Sequence, residues 1–220
     1  MPGAILAIKG NPSLDKVSEI GLGCWQIGWC WGDVSDIDAK DLIKKSLDNG
    51  VNFFDTSDTY GDGRSERFLS EIKKITKEKI YITTKLGQRK KGKDLDQENN
   101  KGFNFEYMEK FIDRSLKNLN TDCIDLLQLH CPPHEDCADP KTYELLENFI
   151  KKGKIANYGL SVWNISDAME AIKFENVKSI QIVFNIFRQK AIDRFLKEAK
   201  KRNVAIIARG PLASGLLSGQ

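Results

Sequence analysis

Apolar positions along this chain recur in two alternating rhythms. Short, nearly unbroken apolar runs such as VNFFD (51–55), IYITTK (80–85), CIDLLQLH (123–130) and VAIIARG (204–210) have the length and β-branched content of buried strands. Longer stretches between them place apolar residues three and four apart, the spacing of a helix with one buried face. DAKDLIKKSLDNG (38–50) is one of these, and it ends on Gly50, a residue suited to helix termination. The pattern predicts strand VSEIGLG (17–23), helix 38–50, strand 51–55, helix SERFLSEIKK (65–74), strand 80–85, helix FEYMEKFIDRSLKNLN (105–120) and strand 123–130. It continues with helix PKTYELLENFIKKG (140–153), strand IANYGLS (155–161), helix ISDAMEAIKF (165–174), strand SIQIVFN (179–185), helix AIDRFLKEAKKRN (191–203) and strand 204–210.

Seven strands with helices between them imply parallel strands joined by crossover helices. An open doubly wound sheet and a closed barrel compete for this pattern. A dinucleotide-binding sheet carries G-x-G-x-x-G after its first strand, opening a helix. Here GLGCWQIG runs into WCWGD instead. That favours the eight-stranded βα-barrel, although no eighth strand is found. With no internal repeat, low-complexity tract or linker, residues 1–220 read as one domain.

Composition narrows the picture only at its edges. The chain is 40% hydrophobic and 30% charged, ordinary for a globular protein with a sizeable core. Its net charge of +3 rests on 34 basic and 31 acidic residues, a balance that argues against a dedicated nucleic-acid binder. No run of 18 apolar residues predicts a membrane span. The short apolar stretch in MPGAILAIKGNPS has no basic residue before it, so it does not read as a signal peptide. Five cysteines, an odd number, fit reduced thiols and a cytoplasmic location.

One stretch suggests a metal. LLQLHCPPHEDC (126–137) holds both histidines of the chain and two cysteines: His130, Cys131, His134 and Cys137. Zinc motifs, however, separate ligands by two to five residues rather than placing them side by side. His130 also closes a strand, and so do Asp55, Lys85 and Ser161. In a βα-barrel the C-terminal strand ends converge on one mouth, where active sites lie. Tyr60 follows Asp55 in the loop TSDTYGDG. A tyrosine of pKa about 10 is a poor acid at neutral pH. A neighbouring lysine is expected to lower that value, with an aspartate holding the lysine in place. Such a group can donate a proton to a carbonyl becoming an alkoxide, with a histidine orienting the carbonyl. The matching hydride has no side-chain source, so a nicotinamide cofactor is implied.

With these residues in place, the chain resembles the aldo/keto reductase superfamily. VSEIGLGCWQIG, GVNFFDTSDTYGDGRSE, YITTK, DLLQLH, YGLS and PLASGLLSG match its segments in order and spacing across residues 17–220. The resemblance implies a (β/α)8 TIM barrel that binds NADP(H) and reduces a small-molecule carbonyl compound. It casts Tyr60 as proton donor, Asp55 and Lys85 as its supporting pair, and His130 as the group that orients the carbonyl. Ser161 and Gln181 stand where the family holds the nicotinamide carboxamide. Cys24 and Trp25 stand where it lines cofactor and substrate, and Trp31 is a further candidate for the substrate pocket. Gly210, Pro211, Leu212, Ala213 and Ser214 match the loop along the pyrophosphate. Two positions depart from the pattern: Val162 replaces a frequent Asn, and Arg209 replaces an aromatic that stacks on the nicotinamide. His134 and Cys137 then read as loop residues, and no metal is expected.

The family's eighth strand and last helices would follow PLASGLLSGQ. The expectation is a barrel lacking them, with open edges on its first and last parallel strands and self-association through those edges. Two other functions stay open: a catalytically idle barrel and a regulatory or binding subunit on the same fold.

Overall fold

The computed structural model describes residues 4–8, 16–28, 34–87 and 103–219. Cys30, Trp31 and residues 88–102 lie outside the described residues. The strands are β1 (Ala4–Ile8), β2 (Ile20–Gly23), β3 (Phe53–Asp55), β4 (Tyr81–Gly87), β5 (Leu126–His130), β6 (Tyr158–Ser161), β7 (Val177–Val183) and β8 (Ala205–Arg209). From β2 to β8 each strand pairs in parallel with the next. These are the seven parallel strands of the sequence pattern, and no eighth parallel strand is present among the described residues.

The expected open edges are not there. β1 pairs antiparallel with β2, through Ala4↔Leu22 to Leu6↔Ile20, and antiparallel with β8, through Leu6↔Ala208 to Ile8↔Ile206. The wall is a closed ring of eight strands. The AILAI run has the apolar, β-branched character of a buried strand. Unpaired backbone groups on β2 and β8 would otherwise lie at an open edge. Only 11 residues separate Ile8 from Ile20, fewer than the dozen or more a parallel crossover takes, so the strand meets β2 antiparallel.

The helices between strands are α1 (Asp36–Asp48), α2 (Arg64–Ile75), α3 (Phe105–Leu119), α4 (His134–Ala138), α5 (Pro140–Lys151), α6 (Ile165–Ala171) and α7 (Phe195–Lys201). Three of their starts are chemically marked. Ser35, Asn104 and Asp139 accept hydrogen bonds from the backbone N–H groups of Asp38, Tyr107 and Lys141, and Pro140 opens α5. On α3 the residues Met108, Phe111, Ile112, Ser115 and Leu119 form the buried stripe. Each large apolar side chain so buried contributes about 1.5–3 kcal/mol.

Strand alternation builds two cores. Leu22, Phe54, Ile82, Leu127, Leu129, Leu160, Ile180 and Ile206 turn outward and pack with the helices. Phe53, Tyr81, Leu126, Ala205 and Ile207 turn inward and, with Val17, fill the lower barrel. Two residues further along the same inward columns stand Asp55, Thr83, Gln128 and Arg209, with Lys85 beyond Thr83. The barrel interior is therefore apolar below and polar above, and the polar layer opens at the C-terminal mouth.

Candidate active site

Asp55 is 3% exposed and is held from three strands. Its Oδ2 accepts from Lys85 Nζ at 2.6 Å on β4. Its Oδ1 accepts from Gln181 Nε2 at 2.8 Å on β7 and, more weakly, from Gln128 Nε2 at 3.5 Å on β5. Gln128 also donates to Thr83 Oγ1 at 2.9 Å. Lys85 Nζ, fully buried, donates further to the Thr56 carbonyl at 2.8 Å and to Tyr60 Oη at 3.4 Å. Burial alone would lower the lysine's pKa, but Asp55 and then Tyr60 outweigh it, and the net shift is upward. Lys85 is an ammonium.

Tyr60 does not behave as the lysine alone would dictate. Burial raises its pKa, Lys85 pulls it down, and burial wins. The hydroxyl stays protonated at neutral pH, which suits a proton donor rather than a stored phenolate. Across the mouth, His130 presents its ring edge-on to Tyr60, with ring centroids 6.0 Å apart and planes at 82°. Burial, Lys85 and Arg209 push its pKa down to about 3, so the imidazole is neutral. Its Nδ1 lies 3.2 Å from Ser57 Oγ.

The loop that carries Tyr60 is built by the rest of its motif. Ser65 donates to the Cys24 carbonyl at 3.1 Å and accepts from Thr56 at 2.7 Å. Glu66, fully buried, accepts from Thr84 at 2.7 Å and from Asn118 at 2.8 Å. Arg64 donates to the Ile27 carbonyl and pairs with Asp36 at 2.5 Å. Gly28 is required where it stands: a Cβ there would meet the Tyr60 carbonyl carbon at 2.5 Å and the Gly61 nitrogen at 2.7 Å.

The structure thus brings Asp55, Tyr60, Lys85 and His130 together, with Ser161, Gln181 and Arg209 on the adjoining wall. Ser161 donates to Gln181 Oε1 at 3.2 Å. Arg209 Nη1 reaches Ser161 Oγ at 3.3 Å, and Nη2 donates to the Val162 carbonyl at 3.2 Å. Gly210, Pro211, Leu212, Ala213 and Ser214 leave β8 as an exposed to half-exposed turn, with Gly210, Ala213 and Ser214 in left-handed backbone. The Gly210 carbonyl is fixed by Asn185 at 3.0 Å. Trp25 stands at the end of β2, 40% exposed.

Cys24 falls elsewhere. Its side chain is fully buried in the outer core, packed with Leu22 and Ile27, and burial followed by Asp55 pushes its thiol pKa upward. Strand alternation explains this, because Gly23 occupies the inward position. The histidine–cysteine cluster also comes apart. His134 Nδ1 bonds Asp167 at 2.7 Å on the outer surface, and Cys137 is buried beside the Pro132 carbonyl. Among the described residues no group of three or more potential ligands is assembled for a metal. No helix among them is long and apolar enough to cross a membrane.

Sequence reasoning missed Ser57, Gln128 and the supporting roles of Ser65 and Glu66. Gln128 carried a readable signal: a lone polar residue in an apolar run, two positions before His130 and so on the same face of the strand.

Residues 19–220 match the model of the aldo/keto reductase family. The chain belongs to that family. It is 30% identical over 213 residues to the uncharacterized oxidoreductase YqkF of Bacillus subtilis, covering 95% of this chain and 65% of that protein. It is 31% identical over 215 residues to the aldo-keto reductase YhdN of the same organism, covering 93% and 61%. These two matches span slightly less than two thirds of the relatives' own lengths. Among solved structures, the holo form of aldo-keto reductase AKR11C1 from Bacillus halodurans superposes with a TM-score of 0.80 at 28% identity, covering 98% of this chain and 70% of that one.

Proposed function

We propose that this chain reduces a small aldehyde or ketone to an alcohol, using NADPH, with Tyr60 as the proton donor. The observation that carries the reading is the contact chain at the mouth: Asp55 to Lys85 at 2.6 Å, and Lys85 to Tyr60 Oη at 3.4 Å. Lys85 places a positive charge beside the phenol oxygen, so it stabilises the negative charge left there when the proton goes to the substrate oxygen. Asp55 holds that ammonium and is itself held by Gln181. A neutral His130 can donate one N–H to the carbonyl oxygen, polarising it without competing for the proton.

The polar wall suits an amide-bearing cofactor. Ser161, Gln181 and Arg209 together offer a hydroxyl, an amide and a guanidinium, the donor and acceptor types that fix a carboxamide. Bound nicotinamide supplies hydride chemistry that no side chain can. In this reading Trp25, exposed just past the end of β2, would line the pocket, and the turn of Gly210, Pro211, Leu212, Ala213 and Ser214 would hold the pyrophosphate. Membership of a family whose relatives include proteins named as aldo-keto reductases supports the reading, among them the fission-yeast enzyme named for NADP(+). The assembled tetrad favours an enzyme over a regulatory barrel.

The test is titration of the full chain with NADPH, read by tryptophan fluorescence, followed by aldehyde reduction. Saturable micromolar binding is expected, with Tyr60→Phe keeping affinity and losing about 100-fold or more in turnover. Equal turnover by Tyr60→Phe would overturn the assignment of the proton donor.

A further inference from the structure

Among the described residues the mouth carries one cation without an acidic partner. Asp55 neutralises Lys85, and His130 is uncharged. Arg209, at the end of β8, is in no ion pair with a carboxylate among the described residues. Its guanidinium is held by Ser161 Oγ, the Val162 carbonyl and, at 3.8 Å, Cys131 Sγ. Its Cζ lies 4.0 Å from the centroid of the exposed Trp163 ring, which covers one side of the plane. Nε is buried without a hydrogen-bond partner. The group is therefore fixed in position, and its charge reaches both His130 and Tyr60.

A hydride donor must bring its reacting carbon within about 3–3.5 Å of the carbonyl carbon. Since Tyr60 and His130 define where the carbonyl sits, the nicotinamide ring must lie in this same mouth, within reach of the Arg209 charge. The reduced ring is neutral, whereas the oxidised ring carries a positive charge. We infer that Arg209 makes the site discriminate between the two redox states, holding the reduced cofactor more tightly than the oxidised one. This rests on the reading proposed above. An aromatic at this position would act in the opposite direction, because a ring face attracts a cation. Val162 contributes no polar group, since its side chain is buried in the outer core. Like charges a few ångströms apart at an effective dielectric near 20 repel enough to move a binding ratio by about tenfold or more.

The experiment measures the dissociation constants of NADPH and NADP+ on the full chain at one ionic strength, by quenching of tryptophan fluorescence. The ratio Kd(NADP+)/Kd(NADPH) is compared in the parent, Arg209→Gln and Arg209→Lys. Arg209→Gln should lower it by about tenfold, equivalent to about 1.4 kcal/mol. Arg209→Lys, which keeps the charge and loses the plane, should retain most of it. Arg209→Met, also neutral, replaces the Gln variant if circular dichroism shows that variant unfolded. If a neutral variant weakens both forms by the same factor, the guanidinium is a plain donor or a phosphate contact, and the inference is overturned. A neutral variant that keeps the parent's ratio overturns it equally. A folded parent that binds neither form overturns both this inference and the cofactor reading beneath it.

Discussion

Removing both charges of the buried Asp55–Lys85 pair should cost less than the two single removals added together. In Lys85→Met, the Asp55 carboxylate stays 3% exposed, with the Gln181 amide at 2.8 Å and Gln128 at 3.5 Å as its remaining side-chain donors. In Asp55→Asn, a fully buried ammonium loses its counter-charge and keeps neutral acceptors alone: the new amide oxygen, the Thr56 carbonyl at 2.8 Å and the Tyr60 hydroxyl at 3.4 Å. At 2.6 Å and an effective dielectric near 20, the direct attraction lost is about 6 kcal/mol. Relaxation and water entry reduce the net cost of breaking such a pair from one side to about 3–5 kcal/mol. Set against a total stability of about 5–15 kcal/mol, either single variant comes near unfolding. The double variant leaves no unpaired charge, so its cost should fall short of the sum of the two by about 2–4 kcal/mol. Urea denaturation followed by tryptophan fluorescence and circular dichroism reads all four corners of the cycle. Additivity within about 0.5 kcal/mol would show that the two groups do not act as a pair, and the account of the polar layer would fail.

Two further outcomes follow from the geometry. Gly28→Ala places a Cβ 2.5 Å from the Tyr60 carbonyl carbon, so the tyrosine loop must shift. Turnover should drop about tenfold or more while stability falls by about 1–3 kcal/mol, and parental turnover in steady-state kinetics would refute the contact. His130 has a folded pKa of about 3 against an ordinary 6.5. Between those values the unfolded chain takes up a proton that the folded one refuses. Its stabilisation is therefore complete above about pH 6.5 and declines as pH falls toward 3, with a slope of up to about 1.4 kcal/mol per pH unit. Denaturation midpoints across that range should show the slope flattened in His130→Gln. An unchanged slope would place the titrating group elsewhere.

Most of the wall was legible because its periodicities are strong. Each of the seven predicted parallel strands overlaps an observed one, and the strand ends put Asp55, His130 and Ser161 at one mouth as read. β1 was not legible, because five apolar residues near a terminus carry no signal of which partner they will take. Its strand identity depends on what β2 and β8 leave unpaired, which is a tertiary fact. Cys24 failed for a similar reason. The family resemblance placed it with Trp25 in the lining of the site, but the pleat turns it outward. The direction of the Tyr60 shift was misjudged because sequence shows a lysine nearby and says nothing of burial, which here acts more strongly.

The closing strand matters to chemistry through its neighbours. β2 ends at Gly23, next to Trp25 and the turn in which Gly28 abuts Tyr60, and β8 ends at Arg209. These are the two strands that β1 joins, by the pairs Ala4↔Leu22 and Leu6↔Ala208. Closing a sheet into a barrel fixes the stagger and tilt of every strand together. In a ring open at this position, the proton-donor side and the Arg209 side of the mouth would be linked only the long way round, through five intervening strands. Small errors in twist at each step would then add between Tyr60 and Arg209. The short route through β1 removes that accumulation. A strand with no residue assigned to the site therefore contributes to it by holding its two flanks in register.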